Sequence, residues 1–179
     1  GKDRRGEGDI GDLLLALSDT VMPWIRPMYL HPAHVNDRLI EKLARARIVP
    51  YLDMPVQHAD DGLLRAMRRA VTARRMKDVV AAFRAAIPDL TLRTTVLVGF
   101  PGETEAAFQA LLDFVEEVRF ERLGVFTYSP EEKTPALGMP GEVPREVAEE
   151  RAAIVQDCQD RIAFERVKSL YGTVQQVLV

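Results

Sequence analysis

Residues 99–103, GFPGE, join a strand-like run, TLRTTVLV at residues 91–98, to a helix-like run in which Phe108, Leu111, Leu112, Val115 and Val118 follow a 3.6-residue period. Gly99 and Gly102 permit a positive φ or the close approach of another group to the backbone. With Thr104 as N-cap, the helix that follows offers free N–H groups and the positive end of its dipole. Such a turn suits a polar ligand, and it equally serves any tight strand-to-helix connection. Three more short stretches carry polar groups: YLHP at residues 29–32, DMPVQH at 53–58 and TYSPEEKTP at 127–135. Gln57 and His58 place an amide beside an imidazole, for a ligand or for capping the next helix. Tyr128 and Ser129 offer hydroxyls or form an ordinary strand end. His31 and His34 read as loop or helix-start residues rather than ligands.

The elements that would position these groups alternate between strand and helix. Helices are expected over residues 9–18, from the Asn36 cap through 46, from the Thr72 cap to Ile87 before Pro88, after Thr104, and from Pro144 to a stop at Gly172. Strands are expected at 24–30, 48–54, 91–98 and 122–128, with a last one in TVQQVLV at 173–179. This order implies an α/β fold with parallel strands and right-handed crossovers, either an open sheet or part of a barrel. In both, ligands sit at the carboxyl ends of the strands, and the four polar stretches would converge there.

The 179 residues, 47% hydrophobic and 28% charged, suffice for one domain with a real core. Neither a transmembrane run nor a signal-peptide pattern is present in the sequence, and a soluble cytoplasmic protein is expected. The single cysteine, Cys158, excludes an intrachain disulfide and, by itself, a cysteine-built metal site. A net charge of −3 gives no global attraction to nucleic acid. The run RAMRRAVTARRMK, from Arg65 to Lys77, is nonetheless locally basic, as a patch toward an acidic partner or as a solvated helix face.

The stretches YLDMPVQH, AMRRAVT, RTTVLVGFPGETEAAF and GVFTYSPEEKTPA resemble the radical S-adenosylmethionine methylthiotransferases over nearly the whole chain. Within that family YLHP, PVQH and FTYSPEE are similar to the branch that modifies an aspartate of a small-subunit ribosomal protein, and the tRNA-modifying branch is the alternative. Asp60, Ala70 and Lys133 depart from the usual family residues, all in loops. The resemblance implies a partial (βα) barrel over residues 1–171, the later half of a radical enzyme's barrel, with 172–179 beginning a TRAM domain. The family's CxxxCxxC loop does not occur in this sequence. The chain is therefore expected to be a fragment, inactive alone, with the ligands of two four-iron four-sulfur clusters lying outside it. A non-enzymatic α/β ligand-binding or assembly module is the reading from another class.

For the parent protein the resemblance implies that S-adenosylmethionine yields a 5'-deoxyadenosyl radical that takes a hydrogen from the aspartate β-carbon, with sulfur and methyl groups added afterwards. The cofactor would be held by Val98, Gly99, Phe100, Gly102 and Glu103 of the turn, with Gln57, His58, Arg93, Phe126 and Tyr128 around it. Arg93 could meet the cofactor carboxylate or form a structural salt bridge. The implied partners are a ribosomal protein of the small subunit and a possible ribosomal RNA contact at residues 65–77, without a membrane. Self-association is expected through an exposed sheet edge near residues 24–30.

Overall fold

The middle strand of the sheet, β2 (Thr91–Val98), shows how the rest is arranged. Leu92, Thr94, Val96 and Val98 are buried, whereas Thr91, Arg93, Thr95 and Leu97 between them stay partly open. A period of two marks a strand whose faces meet different environments. The computed structural model describes residues 8–174. In it β2 lies between β1 (Tyr51–Asp53) and β3 (Arg122–Thr127), and both pairings are parallel.

Six α-helices are described: α1 (Ile10–Ser18), α2 (Asp37–Arg45), α3 (Asp61–Ala66), α4 (Ala73–Ala86), α5 (Glu105–Val118) and α6 (Arg145–Ser169). Leu92, Val96 and Val98 of β2 share one core with Met76 and Phe83 of α4, Leu111 and Val115 of α5, and Val155 and Ile162 of α6. Side chains of this size each contribute on the order of 1.5–3 kcal/mol on burial. The helix starts obey their caps: Asn36, Thr72 and Thr104 each accept from the backbone N–H three residues on. Asp9 and Asp12 form a reciprocal capping box on α1, and Lys42 of α2 reaches Asp9 at 3.0 Å, tying the two helices together. No helix among the described residues is long and apolar enough to cross a membrane.

Residues 24–30, expected as a strand, form none. Pro23 and Pro27 remove backbone donors and Tyr29 turns to φ 58°, so the segment runs beside β1 with two isolated bonds, Val49 N–H to the Ile25 carbonyl and Leu30 N–H to the Asp53 carbonyl. The strand expected at 48–54 shrinks to three residues because Pro50 and Pro55 flank it. A short α3, absent from the sequence reading, follows the Asp60 cap. The last expected strand lies, apart from Thr173 and Val174, outside the described residues.

Candidate functional site

On the open face of the sheet, toward the carboxyl ends of the strands, a cavity of about 380 Å³ is lined by Tyr29, His31, Gln57, Arg69, Arg93, Thr95 and Phe126 among others. Arg93 and Asp53 are direct neighbours in the β1–β2 register. They form an ion pair at 3.0 Å in which Asp53 is fully buried and the Arg93 side chain is 34% exposed. Thr95 follows Arg93 on the same face of β2. Phe126 is paired with Leu97 across the β2–β3 register and leaves 57% of its surface open. Gln57, beyond the end of β1, donates its N–H to the Thr95 carbonyl and accepts from Leu97 N–H. These bonds hold Gln57 at φ 71°, and Tyr29 across the cavity has φ 58°. Such conformations are uncommon for residues other than glycine, and they persist where surrounding bonds over-determine them.

Arg69 enters the same cavity from the loop after α3. Its Nη2 donates to the Pro55 carbonyl at 2.6 Å, and its Nε is buried without a hydrogen-bond partner. Burial lowers the guanidinium pKa. His31, which accepts from Ala33 N–H through Nδ1, also has a lowered pKa, first through burial and then through the nearby Arg69 charge.

Behind the sheet end, the GFPGE turn is built around one buried carboxylate. Glu103 accepts from Gly99 N–H, from His58 Nε2 at 3.2 Å and from Arg151 Nη1 of α6 at 3.2 Å. His58 Nδ1 accepts from Asp60 N–H at 2.9 Å, which places the neutral ring's proton on Nε2, facing Glu103. Arg151 also donates to the Glu103 carbonyl and to Glu105, and lies over the Phe108 ring at 5.1 Å. Gly99 has φ 76°, and a Cβ there would sit 2.5 Å from the Ala148 Cβ of α6, so helix packing requires this glycine. Gly102 N–H donates to the Gly141 carbonyl, which ties the turn to the loop before α6.

The residues selected from the sequence thus separate into two groups. Gln57, Arg93 and Phe126 meet at the cavity. His58 and Glu103 are buried against each other, and Val98 is buried on the helix-covered side. Phe100 packs with Leu63 and Ala107 and meets Tyr128 edge-on at 5.3 Å. Gly99 and Tyr128 line a second hollow of about 490 Å³ with Ala148 and Glu149. The Tyr128 hydroxyl is buried with no partner. Tyr29, in the YLHP stretch expected at the rim, lines the cavity, whereas sequence reading missed Arg69 and Arg151 as site residues. Arg69 belongs to the basic run, but that run forms no single face: Arg75 donates to the Val35 carbonyl and Lys77 pairs with Glu117.

A helix-backed parallel sheet with a polar cavity at the carboxyl side of its strands defines an α/β protein with its site where open sheets and barrels of this class carry theirs. Residues 7–115 match the model of the radical SAM superfamily, and the chain belongs to that superfamily. It is similar to proteins named ribosomal protein uS12 methylthiotransferase RimO. The one from Syntrophotalea carbinolica is 44% identical over 100% of this chain and 40% of that protein. Those from Geobacter sulfurreducens and Thermosipho africanus are 43% and 41% identical, over 100% and 99% of this chain and 40% and 42% of theirs. The chain therefore spans about two fifths of the length of the curated relatives it matches. Among solved structures, the radical SAM enzyme coproporphyrinogen III oxidase (HemN) from Escherichia coli superposes with a TM-score of 0.52 at 18% identity, over 80% of this chain and 31% of that one. The cobalamin-dependent S-adenosylmethionine radical enzyme OxsB superposes with a TM-score of 0.53 at 15% identity, over 90% of this chain and 22% of that one. Both share the fold.

Proposed function

We propose that the complete protein is a radical S-adenosylmethionine methylthiotransferase that adds a methylthio group to the β-carbon of an aspartate in ribosomal protein uS12, in the cytoplasm. The observation that carries this reading is the 41–44% identity to the uS12 enzymes along essentially all of the chain. These relatives favour the ribosomal acceptor over a tRNA adenosine.

The cavity residues fit the organic cofactor. An exposed aromatic ring (Phe126), an amide (Gln57) and a hydroxyl (Thr95) suit an adenosine, and the partly exposed Arg93, backed by the buried Asp53, offers its guanidinium to the carboxylate of an amino-acid end. When bound, S-adenosylmethionine supplies the radical and methyl chemistry. The chain's own work is to orient it. Gln57 is held rigid by two main-chain bonds, and Arg93 is held by Asp53. Glu103 and Arg151 brace the turn from behind.

The iron–sulfur clusters do not fit on this chain. Its one cysteine is buried in α6, and no group of three metal-ligating side chains is assembled among the described residues. We place their ligands, and a TRAM domain from residue 172 onward, on the remaining length of the protein. Exposed Arg65, Arg68 and Arg74 are the basic residues available for ribosomal RNA. Self-association is assigned to the outer edge of β3 rather than to residues 24–30, which bond to β1.

The test is to reconstitute the complete protein anaerobically and digest uS12 for mass spectrometry. A methylthio group on an aspartate is expected, and a methylthio-adenosine in tRNA with unmodified uS12 would reverse the assignment. Equilibrium dialysis should show weaker S-adenosylmethionine binding in Gln57→Ala and Phe126→Ala.

A further inference from the structure

Two guanidinium groups line the cavity, and they are differently placed. Arg93 is neutralised by Asp53 at 3.0 Å. Arg69 faces no carboxylate among the described residues, and no Asp or Glu lines the cavity. Among the described residues its guanidinium makes one hydrogen bond, to the neutral Pro55 carbonyl, while its Nε is buried with nothing to accept from it. Holding a half-buried cation in this way costs desolvation that no internal counter-charge offsets.

The loop nevertheless keeps it there. Arg68 adopts φ 57°, and Arg69 N–H bonds back to the Leu64 carbonyl at 2.8 Å, which turns the side chain away from the exposed neighbours in the basic run. Across the cavity stand the Gln57 amide and His31, whose pKa is lowered and which therefore adds no second positive charge near neutral pH.

We infer that Arg69 is the seat of the acceptor's side-chain carboxylate, so that this enzyme holds its aspartate by the group next to the reacting carbon. The inference rests on the function proposed above. A guanidinium grips a carboxylate with two parallel hydrogen bonds, which fixes the plane of the carboxylate and with it the position of the carbon one bond away. A bare carboxylate suits an isolated cation. The amino-acid end of S-adenosylmethionine carries an ammonium as well and has no net charge, and Arg93, already neutralised by the buried Asp53, suits such a zwitterion better than it suits a bare anion. The cavity thus divides into a zwitterion end at Arg93 and an anion end at Arg69, and Arg69 serves as a binding and positioning residue for the acceptor.

The experiment uses the complete protein and a fluorescent peptide of uS12 containing the modified aspartate, with affinities read by anisotropy so that turnover is not needed. Arg69→Gln should weaken the peptide on the order of thirtyfold, and an Asp→Asn peptide should be weakened comparably on the unaltered enzyme. In Arg69→Gln the two peptides should bind alike, since the carboxylate no longer has its partner. S-adenosylmethionine affinity, by dialysis, should change less than twofold. Arg69→Lys, which keeps the charge and the bond to Pro55, controls for folding and should recover part of the Asp preference but not all of it. Equal loss of cofactor and peptide, or an Asp preference that survives in Arg69→Gln, overturns the assignment of Arg69 alone. A peptide that the unaltered enzyme does not bind overturns the acceptor itself and this inference with it.

Discussion

Arg151 of α6 reaches the Glu103 carboxylate at 3.2 Å across 48 residues of sequence, and both side chains are almost wholly buried. Removing the Glu103 charge leaves the buried Arg151 with only the exposed Glu105 as counter-ion. Glu103→Gln should therefore destabilise the protein by about 3 kcal/mol. The double variant Glu103→Gln, Arg151→Met should recover part of that loss. Urea denaturation reads both values, and a single variant with an unchanged midpoint would show that the pair contributes nothing net.

Gly99 makes a second packing prediction. An added Cβ meets both an unfavourable φ of 76° and the Ala148 Cβ at 2.5 Å. Gly99→Ala should cost roughly 2 kcal/mol or more, of which about half is conformational strain. Ala148→Gly in the same chain removes the steric part, so a positive coupling is expected in a double-mutant cycle. Strictly additive effects would locate the cost in the backbone alone.

The link between α1 and α2 should depend on pH at both extremes. Lys42 hydrogen-bonds Asp9 and Asp12 and holds both carboxyls below their ordinary value of 3.8, while the same contacts, that of Asp12 foremost, raise the Lys42 ammonium above 10.5. A lowered carboxyl pKa gives stability that is complete above 3.8 and lost as pH falls through the folded values. A raised ammonium pKa gives stability complete below 10.5 and lost as pH rises beyond the folded value. Hydrogen exchange of the Leu13 and Leu14 amides should speed up toward strong acid beyond the intrinsic pH trend. Lys42→Met should flatten that excess.

Cys158 should be chemically quiet. It is buried in α6, and burial, followed by the Glu116 charge, pushes its thiol pKa up. Iodoacetamide at pH 8 should alkylate it on the order of a hundredfold more slowly in the folded protein than in denaturant. Fast labelling of the folded protein would mean that α6 opens readily.

Local signals made much of the fold legible. Thr91–Val98 and the helix behind Thr104 appear within their expected bounds because a period of two, a cap and a period of 3.6 are all written within a few residues of one another. Residues 24–30 misled because their apolar and aromatic composition suits a strand, while Pro23, Pro27 and the turn at Tyr29 prevent one. The site was less readable. Gln57, Arg93 and Phe126 converge as strand-end logic suggests, but Glu103 finds its partners 45 and 48 residues away, at His58 and Arg151. Arg69 was hidden in plain charge, since nothing local separates the one arginine aimed inward from those around it.

The 25 residues of α6 make a rod about 37 Å long at 1.5 Å per residue. One end is clamped to the GFPGE turn by Ala148 and Arg151, and midway Gln159 is pinned by its amide to the Phe120 carbonyl at 3.0 Å. The arms on either side of Gln159, back to Arg151 and out to Ser169, are about 12 and 15 Å long. Beyond that pin Ile162 still lies in the shared core and Glu165 pairs with Arg119, so the rod is fastened on both sides of Gln159 and acts as a strut between the turn and the far end of α5.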